Sequence, residues 1–390
     1  MGKIISFFNH KGGVGKTTLV YNLGFTLASK GKKVLLIDGD YQMNLTSSVF
    51  GLSDKIEYSY DNSQEWRDFL HNNTTLSEFL RNAITQNTKD IKLYKKEYIY
   101  KYKHSHRKSN CNPISIKKGD TLNFDAGGML KLMPSNIGNK IAEVEIDLYN
   151  GITTNNSLID PTLIQKRLKK LAQNYDFVLI DTSPSATSII NALLLMSSDY
   201  FIVPANPSFF SLQAVQNLQN IFVNWQNLLK SYMANFNQDG FKKPVFLGVA
   251  IVQARRMENR AEKNDGADHV QIWSDTLNNA VKDFNRDYSY GLQGAINEDK
   301  FKELFLNPNS PRYGTSVTPF IIQTCYAFAG ELLSLSQKSS VPTSMLTNLI
   351  SAEYPNEKNK GHAFAQVNWV ESFTAFKEQI DNIVQALIKL

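Results

Sequence analysis

Short runs of apolar residues alternate along this chain with longer stretches in which apolar positions return every three or four residues. The run "KIISFFN" (3–9) is rich in Ile and Phe and ends at a glycine-rich turn. Four more runs of this kind follow: "KKVLLID" (32–38), "YDFVLID" (175–181), "DYFIVPA" (199–205) and "PVFLGVAIV" (244–252). Each reads as a strand buried on both faces, the mark of a parallel sheet. Between them, "KTTLVYNLGFTLASKG" sets Val20, Leu23, Gly24 and Leu27 at helical spacing, with Gly31 placed to stop the helix. "LIQKRLKKLAQ" and "LQAVQNLQNIFVNWQNLL" carry the same period. Strands alternating with helices predict an α/β fold: a mostly parallel, twisted sheet with helices on both faces. There is no internal repeat.

Two regions break this rhythm, so the expectation is one domain over 1–390 with additions. An insertion at 51–128 holds one helical pattern, "TLSEFLRNAI", and then a basic, tyrosine-rich segment at 91–118. A divergent stretch at 255–315 is polar and helix-like with several arginines, then rich in Gly and Asn. The C-terminal segment 365–390 places Val370, Phe373, Phe376, Ile380, Ile383, Val384 and Leu387 on one face of an amphipathic helix.

Composition adds little until charge is mapped. At 42% hydrophobic and 20% charged, the chain has the balance of an ordinary globular protein. No apolar run approaches the ~18 residues of a membrane span, and "IISFF" is too short for a signal peptide. The net charge of +6 is uneven: segment 91–118 holds nine Lys/Arg and one Glu, leaving the rest of the chain slightly acidic. There Tyr94, Tyr98, Tyr100 and Tyr102 alternate with lysines. That pattern suits phosphate contact with base stacking. It suits a lysine-protected edge β-hairpin equally. Arg255, Arg256, Arg260 and Lys263 are either a second basic patch or a solvated helix face. His104 and His106 lack a third ligand nearby, and Cys111 and Cys325 lie too far apart for a zinc motif. The C-terminal helix carries a net charge of −1 over 371–389, which favours packing on the core or a partner over anionic lipid. The expected compartment is the cytoplasm.

The chemistry concentrates at "NHKGGVGKTT" (9–18). A phosphate loop needs glycines so that backbone N–H groups can close on phosphate oxygens, a lysine for their charge and a hydroxyl for Mg²⁺. Gly12, Gly13, Val14 and Gly15 form the cradle, Lys16 supplies the charge, Thr17 the metal-ligating hydroxyl, and Thr18 follows. The strict consensus has glycine where this chain has His10, and a second lysine, Lys11, stands at the front edge. Acidic strand ends at Asp38, Asp40 and Asp181 complete a nucleotide site.

This string resembles the deviant Walker A signature of the ParA/MinD-type ATPases, P-loop NTPases in which the leading lysine is diagnostic. "VLLIDGDYQMNLT" is similar to the family's DxDPQGN motif, with Tyr41 and Met43 in place of proline and glycine. "FVLIDTSPS" resembles its Walker B strand and switch, and "LKLMPSNIGNKIAEVE", "NALLLMSSDYFIVPANPSFFSLQAVQNL" and "FLGVAIVQ" follow in order. The resemblance covers roughly 1–50 and 129–254. It implies ATP and Mg²⁺ as cofactors and a homodimer that sandwiches two nucleotides, Lys11 of each subunit reaching the other's phosphates. It implies that Lys16 neutralises charge, Asp40 orients the attacking water, Thr17 and Asp181 hold Mg²⁺ with help from Asp38, and Gln253 touches adenine. A partitioning ATPase would bind DNA non-specifically and answer to a stimulating partner protein. The alternative is an ATP-gated interaction subunit of another complex, such as a defence assembly. The iron protein that shares this loop needs two cysteines flanking the dimer axis, which Cys111 and Cys325 do not supply. No membrane is implied.

Overall fold

β1 (Lys3–Phe7) lies inside an eight-stranded sheet of order β10–β9–β8–β1–β7–β2–β6–β3, and seven of its strands run parallel. The computed structural model describes residues 2–50, 64–87, 89–96, 101–102, 116–117, 127–136, 140–153, 162–206, 209–235, 244–254, 276, 279–280, 296–305, 321–326, 336, 342–345 and 363–390. The five continuous apolar runs are β1, β2 (Lys33–Gly39), β7 (Phe177–Thr182), β8 (Tyr200–Ala205) and β9 (Val245–Ala254). All six residues of β7 are buried, as expected of a strand covered on both faces.

Three further strands escaped the hydrophobic pattern. β6 (Met129–Met133) is interrupted by Lys131, and β10 (Ile321–Tyr326) by Gln323 and Thr324. β3 (Tyr94–Lys95) is two residues long and pairs antiparallel with β6, Lys95 facing Lys131. All three lie toward the sheet margins, where solvation of one side tolerates polar residues. Lysine at the margin also blocks edge-to-edge pairing. Farther along the basic segment, β4 (Lys101–Tyr102) and β5 (Ile116–Lys117) form a separate antiparallel pair. Of that segment's described residues, 94–95, 101–102 and 116–117 are in short strands, while 91–93 and 96 are not. His104, His106, Cys111, Arg255, Arg256, Arg260 and Lys263 lie outside the described residues.

Two sets of mutually packed helices cover the sheet. One set is α4 (Leu76–Ile84), α5 (Lys140–Thr153), α6 (Thr162–Ala172), α7 (Ile189–Met196) and α8 (Phe209–Asn235). α4 begins where its sequence says it should: Thr75 and Glu78 form a reciprocal capping box. The other set is α1 (Lys16–Ser29), α2 (Asn44–Phe50), α9 (Glu298–Phe305) and α10 (Ala363–Lys389). α3 (Gln64–Asn72) reaches the margin through Phe69, whose ring meets Phe50 and Tyr94. In α10, Phe376, Ile380, Ile383, Val384 and Leu387 are buried, and the helix packs on β10, α1 and α9. The described part of its apolar face is therefore packed in the core, and the side chains of Val370 and Phe373 lie outside the described residues. Among the described residues no helix is long and apolar enough to cross a membrane.

What this architecture does for a site is bring three strand ends together. Phe7 is in register with Asp181, and Asp181 with Asp38. The Thr182 hydroxyl donates to the Phe7 carbonyl at 2.7 Å, closing β7 on β1. Gly39 sits at this seam, where an added Cβ would stand 2.9 Å from the Asp181 carbonyl oxygen. Backbone cannot yield as a side chain can, so Gly39→Ala is expected to cost ~1–3 kcal/mol by overpacking. Thermal unfolding measures it; an unchanged midpoint would show that the seam relaxes freely.

Candidate functional site

The turn from β1 into α1 is built from backbone that glycine adopts easily. Gly13 and Gly15 have φ of 71° and 81°, left-handed values that a Cβ resists. Gly15 is the N-cap of α1, no side chain caps the helix, and its first turn carries no acid. Its leading amides and the positive end of its dipole are therefore left for an anion. Lys16, only 7% exposed, folds back so that Nζ donates to the Asn9 carbonyl at 3.1 Å and the Lys11 carbonyl at 3.4 Å. Burial lowers its pKa, while Asp181 and Asp40 oppose that.

Asn9, which the motif reading passed over, holds this turn in place. Its Nδ2 donates to the Pro204 carbonyl at 2.7 Å, tying the loop to β8, and its Oδ1 accepts from the Lys11 amide at 3.0 Å. Asn9 is fully buried, and these bonds satisfy it; the sequence carried no signal for this, because its partner Pro204 lies 195 positions away. Lys11 extends to the end of β8, where Nζ donates to Asn206 Oδ1 at 3.1 Å. His10 is lowered in pKa, by burial first and then by Lys16, and its Nδ1 is buried without a hydrogen bond.

The acids differ in what they hold. Thr17 Oγ1 donates to Asp181 Oδ2 at 2.7 Å, whereas Asp181 Oδ1 is buried with no hydrogen-bond partner. Burial, then the Asp38 charge, raises Asp181 to about 8. Asp38 is raised to about 6, again chiefly by burial. Its Oδ2 accepts from the Thr46 amide and hydroxyl at 2.8 and 2.6 Å, and its Oδ1 from the Asp40 amide at 3.0 Å. Asp38 therefore braces the loop that presents Asp40. Met43 stands there with φ of 55°, in the left-handed region, and is buried. Glycine, the family motif's residue here, would take this conformation without strain; Met43 is held in it by its amide donating to the Asp40 carbonyl at 3.0 Å. After β7, Asn191 secures the next loop: its Nδ2 donates to the Ser183 and Ser185 carbonyls, each at 2.9 Å.

The glycine turn and the Asp40 loop meet at a cavity of about 590 Å³ lined by Gly12 through Thr18, Asp40, Gln42, Asn44, Ser47, Ser48 and Pro184, with Asp38 and Asp181 buried outside its lining. One arm runs along α1 to Tyr21, Asn22, Ser336 and Thr343. The hydroxyls of Tyr21 and Thr343 are buried there without hydrogen bonds. The 3₁₀ turn Thr343–Met345 is docked on α1 by the Ser344 amide donating to Asn22 Oδ1 at 2.9 Å. Local sequence gave no signal for these four residues, because the arm is made by chain segments some 320 positions apart. Gln253 falls near the end of β9, and its side chain lies outside the described residues.

The donor set fits a hard divalent cation bound with a polyphosphate. An open carboxylate oxygen beside a threonine hydroxyl suits Mg²⁺, which takes one or two protein oxygens plus phosphate and water. The amides of the glycine turn suit the phosphate. The burial that raises Asp181 is the cost a bound cation would remove.

A family model described as an AAA domain matches residues 2–234. An uncharacterized protein of Methanocaldococcus jannaschii is 31% identical over 55% of this chain and 62% of its own length. The sporulation initiation inhibitor protein Soj of Bacillus subtilis is 30% identical over 56% of this chain and 64% of its own length. The chain thus matches less than two thirds of either relative. Among solved structures, pNOB8 ParA bound to nonspecific DNA superposes with a TM-score of 0.51, covering 100% of this chain and 99% of that one at 18% identity. At that identity the likeness speaks for the fold.

The raised carboxyls give the metal-free protein a pH signature. Asp38 and Asp181 bind protons in the folded state that the unfolded chain has already released, across roughly pH 4 to 8. Unfolding then releases protons, so stability falls as pH rises through this window. In chelator, the thermal midpoint is expected to drop from pH 5 to pH 8, and Asp181→Asn to flatten the drop. Mg²⁺ with nucleotide should raise the midpoint more at pH 8 than at pH 5. A midpoint that climbs over the same range in chelator would contradict this electrostatic account.

Proposed function

Because the chain belongs to the AAA-domain family, as a ParA/MinD-type ATPase, we propose that it is an ATP-driven switch. ATP with Mg²⁺ closes two copies into a sandwich dimer, and slow hydrolysis to ADP and phosphate reopens it. The observation that carries this reading is the convergence on one cavity of the uncapped α1 turn, Lys16, Thr17 and Asp40, with Thr17 hydrogen-bonded to a buried Asp181 whose other oxygen has no hydrogen-bond partner. Hydrolysis of this kind is largely positioning and charge stabilisation. Gly12, Gly13, Val14, Gly15 and Thr18 take the phosphates, Lys16 neutralises the β/γ oxygens, and Thr17 and Asp181 would hold Mg²⁺. That ion would supply further charge compensation on the transferred phosphoryl group. Asp40, at the cavity wall, orients a water toward the γ-phosphorus; the bond from that phosphorus to the bridging oxygen breaks and ADP leaves. Asp38 braces this arrangement and backs the metal position. The arm at Tyr21 and Thr343 takes the nucleoside end, with Gln253 a further adenine contact.

Lys11 is the dimerising element in this reading. Its ammonium now rests on Asn206 of its own chain. A cation within ~4 Å of a second subunit's phosphates contributes roughly 4 kcal/mol at an effective dielectric of about 20, enough to draw it across an interface. We take 1–390 as one such domain, acting in the cytoplasm, with 51–128, 255–315 and the C-terminal helix as additions that select what it works on. The neighbour bound to nonspecific DNA supports non-specific DNA as one target of the ATP dimer; with that target goes a chromosome or plasmid positioning role that answers to a stimulating partner protein. The paired strands found in the basic segment favour instead an ATP-gated contact surface for an effector protein.

Lys11→Ala is expected to bind nucleotide with affinity within about twofold of wild type but to stay monomeric in ATP and lose turnover. Equilibrium titration, light scattering after gel filtration, and phosphate release read the three properties. Wild-type turnover in that variant would overturn the dimer reading. DNA binding that appears with ATP and fades with salt separates the positioning role from the effector role, in which DNA is ignored and a protein partner is retained.

A further inference from the structure

Tyr41 follows Asp40 where the family motif has proline, and its side chain reaches away from the cavity. The phenol donates a hydrogen bond to Glu145 Oε2 on α5 and also meets the Ser188 hydroxyl. The other Glu145 oxygen accepts from the Ile190 amide, in the first turn of α7, at a long 3.5 Å. Ser188 is the N-cap of α7, its oxygen accepting from the Asn191 amide at 3.2 Å. Asn191 in turn holds the carbonyls of Ser183 and Ser185. A continuous hydrogen-bonded path therefore joins the loop presenting Asp40 to the loop after β7. Burial, reinforced by Glu145, pushes the Tyr41 phenol well up, so it remains a donor throughout the physiological range.

The Asp40 loop needs such a tether. Proline would have fixed its backbone, but here Met43 sits at a left-handed φ that a non-glycine residue resists. Backbone bonds from Met43 to Asp40 and from Ser47 to Met43 hold the turn from within, and the Tyr41 side chain adds a bond to a different element.

We propose that Tyr41 is a positioning residue, whose hydroxyl ties the Asp40 loop through Glu145 and Ser188 to the loop after β7, so that the two move as one. The inference rests on the ATPase reading above for its kinetic consequence. Its structural content stands apart from that reading.

Tyr41→Phe keeps the ring and removes the latch. It is expected to lower kcat about tenfold, the scale of a lost hydrogen bond to a charged group, with nucleotide affinity within about twofold. Glu145→Ala should match it, the double variant should be no slower than either single one, and Glu145→Gln, which keeps an acceptor, should restore most of the rate. Hydrogen exchange in the folded protein gives the second readout: in Tyr41→Phe, residues 40–46 and 183–190 should both exchange faster. A wild-type kcat in Tyr41→Phe, additive losses in the double variant, or faster exchange confined to 40–46 would each overturn the latch. If the wild-type chain itself turns over no ATP, the ATPase reading falls, and the exchange comparison alone decides the latch.

Discussion

One buried ammonium among three carboxylates is the constraint around which the rest of this structure is arranged. Lys16 lies at the ends of adjacent parallel strands with Asp38, Asp40 and Asp181, in a setting that strips water from most of them. Charges taken out of water cost several kcal/mol each unless hydrogen bonds or counter-charges replace the solvent. Each group here has been given such partners from a different element. Two loop carbonyls take Lys16, Thr46 and the Asp40 amide take Asp38, and Thr17 takes half of Asp181. The remaining Asp181 oxygen is left without a hydrogen bond. A site that is short of positive charge in one place and offers free amides in another is complementary to a metal–polyphosphate complex, and to neither ion alone.

That arrangement depends on the strand register being held at the carboxyl ends. Thr182 on Phe7 and Asn9 on Pro204 clamp β7, β1 and β8 within a few residues of the chemistry. Ligands of open α/β sheets bind beyond the carboxyl ends of the strands for this reason: loops can vary there while the sheet fixes their origins. The loops have indeed varied. His10 departs from the strict phosphate-loop consensus and Tyr41 and Met43 from the family string, yet Met43 adopts a left-handed backbone that glycine takes easily, and Tyr41 substitutes a side-chain bond to α5 for a ring constraint.

The periphery shows the same division of labour. Residues beyond 234, outside the family match, are not remote from the site: Ser336 and Thr343 wall one arm of the cavity, and α10 packs on the same helix that the phosphate loop begins. The Lys30–Asp381 ion pair at 2.9 Å adds a surface contact to that packing. Its worth is small beside the burial of Phe376, Ile380 and Leu387. The C-terminal segment is thus both structural cover and part of the pocket.

The sequence by itself determined the central strands, because continuous apolar runs leave a residue no solvated side to face, and it determined the phosphate loop, because left-handed glycines and a lysine must lie close together in the chain. It also marked α4 and α10, through a helical pattern and an apolar stripe. Asn9 as an anchor, Thr46 on Asp38, the Tyr41–Glu145 bond and the Tyr21–Thr343 arm were decided only by tertiary structure. Each joins residues whose separation the chain does not encode locally, from 8 positions for Asp38 and Thr46 to 322 for Asn22 and Ser344. Strands β3, β6 and β10 belong with them, since a sheet margin accepts polar residues and so erases the pattern by which a strand is read. Local periodicity records which side chains must leave water; which of them then meet is settled by the order in which the strands pair.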